Sequence, residues 1–98
     1  MKTTIQSIRF DADAKLLSYI EQKVSKLNTF FDSVVDVSVF LRIEKDNENG
    51  NKAVEIKLNV PNSTLLAKEQ KRSFEEATDA CIDKLKLQLQ KYKEKVRE

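Results

Sequence analysis

Two periods organise the apolar positions of this chain. Val35, Val37, Val39, Leu41 and Ile43 alternate with Asp36, Ser38, Phe40, Arg42 and Glu44, and Val54, Ile56, Leu58 and Val60 alternate with Ala53, Glu55, Lys57 and Asn59. A period of two marks a strand with one buried face, so residues 35–44 and 53–60 are predicted strands, with Phe40 the odd residue on a polar face. Residues 45–52 (KDNENGNK) read as the hairpin loop between them, with Asn49-Gly50 as the turn signal. Pro61-Asn62-Ser63 breaks the second strand. Residues 64–71 form a shorter run, charged in the manner of a sheet edge. Residues 3–9 predict a first strand. Ile5 and Ile8 differ in parity there, so either a bulge intervenes or the strand ends before Ile8.

The other period is helical. Leu17, Ile20, Val24 and Leu27 share one face of residues 14–28, Phe31 continues it, and Lys15, Tyr19, Gln22, Lys23 and Lys26 occupy the opposite side. Asp11 or Asp13 is the expected N-cap, and Asn28-Thr29 with the β-branched run from Val34 marks the expected end. In residues 73–98, Phe74, Thr78, Cys81, Leu85, Leu89, Tyr92 and Val96 fall on one stripe of a wheel drawn at about 100° per residue. Lys84, Lys91 and Lys95 lie along one flank of the stripe, Lys86, Lys93 and Arg97 along the other, and Glu76, Asp83 and Glu94 on the back. Ser73 with Glu76 three residues on reads as a capping box. The order β-α-β-β-β-α predicts an α+β fold, a four-stranded mixed sheet with both helices packed on one face. The helical crossover makes strands one and two parallel, and the short turns make the rest antiparallel.

Composition narrows the function more by exclusion than by signal. The chain has 98 residues, 40% apolar and 35% charged, with a net charge of +2. That length predicts one domain with a core of its own and no need of disulfides. There is no His, one Cys and one Gly. His-activated nucleophiles, His-ligated or Cys-rich metal sites, disulfides and glycine-rich phosphate loops are therefore closed routes. No enzyme, cofactor or small-molecule substrate is expected. No apolar run approaches the roughly 20 residues of a membrane span, and the N-terminus lacks the apolar core of a signal peptide, so a cytoplasmic protein without membrane contact is expected.

The distribution of charge says more than its sum. Residues 68–72 (KEQKR) and 84–97 are basic, while Asp11, Asp13, Asp46 and Glu48 lie near loops and ends. Lysines held along a helix can neutralise phosphates, or can snorkel along the apolar seam with their heads in water. Lys15, Tyr19, Lys23 and Lys26 make a mixed aromatic and basic face of the kind that suits RNA, or simply a solvated helix face. Arg42, Lys57, Lys68 and Lys71 face Asp36, Glu44, Glu55 and Glu69, which suggests cross-strand pairing. Cys81, on the stripe, reads as a small core residue. Asp79 and Asp83 lie four apart with nothing converging on them.

The β-α-β-β-β-α order, the phrase QKVSKLNTFFDSV at residues 22–34 and the phrase DKLKLQLQKYKEK at residues 83–95 resemble the ribosome hibernation-promoting factor family, which includes ribosome-associated inhibitor A and proteins called sigma-54 modulation protein. Asp83, Lys84, Leu85, Gln88, Leu89, Lys91, Lys93 and Lys95 match its second motif, and Lys23 and Lys26 match basic positions of its first helix. Leu87 stands where many members carry Arg, and Tyr92 where many carry His. The resemblance implies a double-stranded-RNA-binding-like fold that binds the small ribosomal subunit between head and body. There it would cover the messenger and transfer RNA sites in stationary phase or stress. It implies a short form made of one ribosome-binding domain, residues 1–98, without the C-terminal dimerisation domain of long forms, and monomeric when free. Lys15, Tyr19, Lys23, Lys26, Lys84, Lys86, Lys91, Lys93 and Lys95 are the expected contacts with ribosomal RNA. The alternatives are a double-stranded-RNA-binding-like module acting off the ribosome, and a protein-interaction domain using the open sheet face around Phe40.

Overall fold

Alternation along the strands and capping at the helix starts carry over into three dimensions. A computed structural model describes the backbone of residues 1–97 and the side chains of residues 1–95. The seam position Val96 and the flank position Arg97 lie outside the described side chains. The elements are β1 (Lys2–Ser7), α1 (Ala14–Phe30), β2 (Asp36–Asn47), β3 (Gly50–Val60), β4 (Ser63–Lys71) and α2 (Phe74–Arg97). The sheet order is β1-β2-β3-β4, with β1 parallel to β2 and the other pairs antiparallel. This is the predicted α+β architecture.

Register puts the core residues of every strand under the helices, while Phe40 and Leu66 face the other way. Ile5 pairs with Val39, Val39 with Ile56, and Ile56 with Ala67, giving one continuous row across the sheet. Val37, Leu41, Val54 and Leu58 flank that row, all buried. From above, Ile20, Val24 and Leu27 of α1 and Ala77, Cys81, Ile82, Leu85 and Leu89 of α2 close the core. The opposite face is mostly polar and partly self-satisfied, with Phe40 and the exposed Leu66 as its large apolar side chains. Asp36 accepts from Asn59 Nδ2 at 2.6 Å, Asn59 accepts from Thr64 at 2.9 Å, and Arg42 meets Glu55 at 3.5 Å. Of the expected cross-strand charge pairs, Glu69 instead turns under the helices to meet Lys84 at 3.3 Å.

Several boundaries differ from the sequence expectation. β1 stops at Ser7; Ile8 N–H still bonds Leu41 O at 2.9 Å, and Arg9 takes a left-handed φ of 66°, which ends the strand. Val35 and Ile43, expected in the core, are 57% and 52% exposed. Val35 precedes β2, and Ile43 opens an exposed stretch of hairpin, residues 43–49, to which the helices contribute no cover. α1 runs two residues past the expected end, to Phe30, with Asp13 as N-cap accepting from Leu16 N–H at 2.8 Å. Leu16 rather than Leu17 completes its core stripe. Ser73 Oγ accepts from Glu76 N–H at 3.1 Å, as expected of the cap of α2.

The hairpin is tighter than predicted. Asn47 pairs with Gly50, so Glu48 and Asn49 are the turn and Gly50 is the first residue of β3. Gly50 has φ +116°, and a Cβ there would run into the carbonyl of Lys71. Gly50→Ala therefore combines a strained backbone with a main-chain clash, and is expected to cost about 2 kcal/mol or more. The check is a lowered urea midpoint with an unchanged denaturant slope.

Both ends of the helix layer are pinned by aromatic pairs. Phe10 stacks on Phe74 with centroids 5.1 Å apart, where both helices begin. Phe31 meets Tyr92 edge-on at 5.5 Å, where α1 ends. The two helices therefore run side by side in the same direction. Cys81 is wholly buried, its Sγ 3.4 Å from Val54 O, and burial pushes its thiol pKa up to about 12. That is a core residue, not a nucleophile.

Candidate nucleic-acid interface

The valley between the two parallel helices gathers part of the expected cationic set. On α1, Tyr19, Lys23, Lys26 and Phe30 succeed one another at helical spacing along the side facing α2. Tyr19 Oη lies 2.9 Å from both oxygens of Asp79 and donates into that carboxylate. Lys23 Nζ stands 3.6 Å from the same carboxylate and 5.4 Å from the Tyr19 ring centre. Desolvation, then the bond to Asp79, pushes the Tyr19 hydroxyl above its usual pKa. Tyr19, an expected contact with ribosomal RNA, is thus half-buried and engaged in joining the helices.

Asp79 is the residue that sequence reasoning missed. Its partner lies 60 positions away, and no local spacing could have pointed to it. At the far end of the valley, Lys93 Nζ donates to Phe30 O at 3.3 Å and sits 4.9 Å from that ring's centre. The last turn of α1 has no basic residue of its own. Lys93 supplies one, which suits the negative end of the helix dipole. Lys26 and Lys86 lie between these two contacts, one on each helix, Lys26 exposed and Lys86 half-buried.

The other flank of α2 looks over β4. Lys84 pairs with Glu69, and Gln88 Nε2 donates to Leu66 O at 2.9 Å. Leu87 is 63% exposed beside them. Farther on, exposed Lys91 and Lys95 stand over an open groove of about 790 Å³, whose apolar wall is formed by Phe31, Pro61, Leu65 and Tyr92. Tyr92 Oη donates to Pro61 O at 2.6 Å and holds the β3–β4 turn against α2.

Because the helices are parallel, the layer is electrically polar. Asp11, Asp13, Glu75, Glu76 and Asp79 lie toward its N-terminal end, whereas Lys26, Lys86, Lys91, Lys93 and Lys95 lie toward its C-terminal end, where the exposed acids Asp32 and Glu94 offset only part of that charge. Lys15, exposed in the first turn of α1, stands apart from this cluster. Among the described residues, ion pairs engage Lys23 and Lys84 but not Lys15, Lys26, Lys86, Lys91, Lys93 or Lys95. Such a concentrated field steers anions better than the net charge suggests. Among the described residues, no group of His, Cys, Asp and Glu is arranged to hold a metal, and no helix is long and apolar enough to cross a membrane.

The model of the family described as sigma 54 modulation protein / S30EA ribosomal protein matches residues 3–97. A protein of Azotobacter vinelandii named ribosome hibernation promoting factor is 32% identical over 95 residues, 97% of this chain and 85% of that one. A protein of the same name from Pseudomonas putida is 30% identical over 95 residues, 97% of this chain and 89% of that one. Among solved structures, a ribosomal subunit interface protein from Coxiella burnetii superposes with a TM-score of 0.84 at 24% identity. That match covers 95% of this chain and 98% of that one, and shows a shared fold.

Proposed function

Because the chain belongs to the sigma 54 modulation protein / S30EA ribosomal protein family, we propose that it is a ribosome hibernation factor acting on the small ribosomal subunit. In this reading it lies in the channel between head and body and occupies the space of messenger and transfer RNA in stationary phase or stress. The family match over residues 3–97 carries the reading. The cationic end of the helix layer supports it, since its lysines stand on two helices fixed to each other and to one sheet.

The mechanism is steric occlusion by a preformed face. No bond is made or broken. Lysine heads meet ribosomal RNA phosphates, and the fit is to the shape and backbone of folded RNA rather than to base edges. Lys26, Lys86, Lys91 and Lys95 are the proposed principal contacts. Lys23 and Lys93 combine contact with holding the helices, Lys84 reaches over β4, and Lys15 lies at the periphery. Tyr19 acts by fixing the valley through Asp79. The free protein is a monomer in the cytoplasm. The open sheet face carries paired polar side chains, a half-buried Phe40 and one exposed apolar side chain, Leu66, which is little apolar surface for a protein anchored there.

On sucrose gradients the protein is expected to migrate with small subunits at low salt, to be released as salt is raised, and to be displaced by excess transfer RNA. Absence of co-migration at low salt would sink the proposal. Leu87→Arg adds a cation at an exposed position of the lysine-bearing helix. It is expected to leave the melting temperature within a few degrees and to move the salt midpoint of release upward.

A further inference from the structure

We propose that the groove at the C-terminal end of the helix layer holds a short unpaired segment of RNA. A base packs on its apolar wall, and the flanking phosphates meet Lys91 and Lys95. The inference rests on the RNA-binding reading above and specifies the form of RNA that one part of the face takes.

Three observations lead there. The groove, at about 790 Å³, is the size of sites that hold a small organic ligand. An extended strand with one or two splayed bases fits a cleft of that kind, whereas a rod-like duplex would meet only its rim. Its wall is apolar and partly aromatic, from Phe31, Pro61, Leu65 and Tyr92, and phosphate contact alone gives such a surface nothing to bind. Bases have a π-face whatever their identity, so stacking on aromatic side chains is tolerant of sequence. Finally, both charged residues lining the groove are cations and none is a carboxylate. Lys91 and Lys95 stand one helical turn apart, with Cβ atoms about 5–6 Å apart, so one strand can place successive phosphates on them.

The wall is also preorganised. Tyr92 Oη holds Pro61 O at 2.6 Å, its ring is braced edge-on by Phe31, and Asn62 completes the turn with a left-handed φ of 64°. Gln88 is engaged by Leu66 O. A strand entering the groove thus meets side chains already fixed, which lowers the entropy cost of binding.

The test uses the whole isotope-labelled protein and pentauridylate, followed by amide chemical shifts. Shifts are expected to centre on Phe31, Asn62, Ser63, Lys91 and Tyr92, and a five-base-pair duplex is expected not to reproduce them. Ser63→Trp fills the groove from an exposed position without changing charge, and should weaken pentauridylate by about tenfold or more. If that variant does not fold, Lys91→Ala with Lys95→Ala decides by the same criterion. Unchanged binding by the deciding variant, shifts confined to the inter-helix valley, or uridine monophosphate binding as tightly as the pentamer would each overturn the proposal. Ribosome co-sedimentation with no pentauridylate shifts overturns the groove alone, and loss of both overturns the hibernation reading as well.

Discussion

Replacing Lys84, Lys91 and Lys95 together with Glu is expected to abolish co-sedimentation with the small subunit at moderate salt while leaving the fold in place. Each phosphate contact contributes about 0.7–0.9 to the slope of log affinity against log salt. Loss of the two principal contacts, Lys91 and Lys95, together with whatever Lys84 adds beside Glu69, should therefore remove roughly 1.5–3 from the wild-type slope. Reversal goes further than loss, because each new carboxylate repels the phosphate it faces, and affinity should drop roughly a hundredfold or more. The structural cost is modest. Lys84 and its partner Glu69 form a partly exposed pair at 3.3 Å, of a kind worth at most about 1 kcal/mol. Reversal also sets two carboxylates against each other there, at a further cost of similar size, while the other two side chains are exposed. Lys57→Glu with Lys68→Glu is the control for place on the surface, two reversals against three, since both residues are exposed on the opposite face of the sheet. That control should bind as the wild type does. A loss in log affinity in proportion to the number of reversals, in a ratio of about two to three, would mean that net charge alone, not this face, governs the interaction.

The choice of these lysines shows how far sequence reading reached. The flanks of α2 were legible because helical spacing is local, and so were the strand faces, because alternation is local. What those flanks meet was not legible. Lys84 faces Glu69 of β4, while Lys93 caps α1 through Phe30 O, and each partner depends on how elements distant in sequence are laid side by side. The same holds for Tyr19, whose place on a basic face was readable but whose bond to Asp79 was not. Val35 and Ile43 mark the other limit. Alternation records which face a residue is on, not whether a helix extends far enough to cover it, and both ended up exposed. Gly50 was readable as turn chemistry, yet its place as first residue of β3, against the main chain of Lys71, is a tertiary fact.

The largest stability effect is expected from Leu85→Ala. Leu85 is wholly buried on the seam between Cys81 and Leu89, where α2 closes the core over the sheet. Truncation removes apolar contact and leaves a cavity that rigid strands below cannot fill, at a cost of about 2–5 kcal/mol. Against a total stability on the order of 5–15 kcal/mol, that is a large share. At about 4–8 °C per kcal/mol for a domain this small, the melting temperature should fall by roughly 8–40 °C. Cys81 gives an independent readout one turn away. Its thiol is buried and its pKa is pushed up to about 12, so a thiol reagent modifies it only when the core opens. Labelling in Leu85→Ala should accelerate in proportion to the open population, while labelling in the triple Glu variant should stay near the wild-type rate. The two variants thereby separate the two jobs of α2. Leu85→Ala should still bind ribosomes at low temperature and lose them along its own melting curve, because its cationic flanks are unaltered. The triple Glu variant should fail to bind at every temperature at which it is folded. If Leu85→Ala instead lost binding while still native by thiol protection, the seam would be setting the geometry of the lysines as well as holding the helix down.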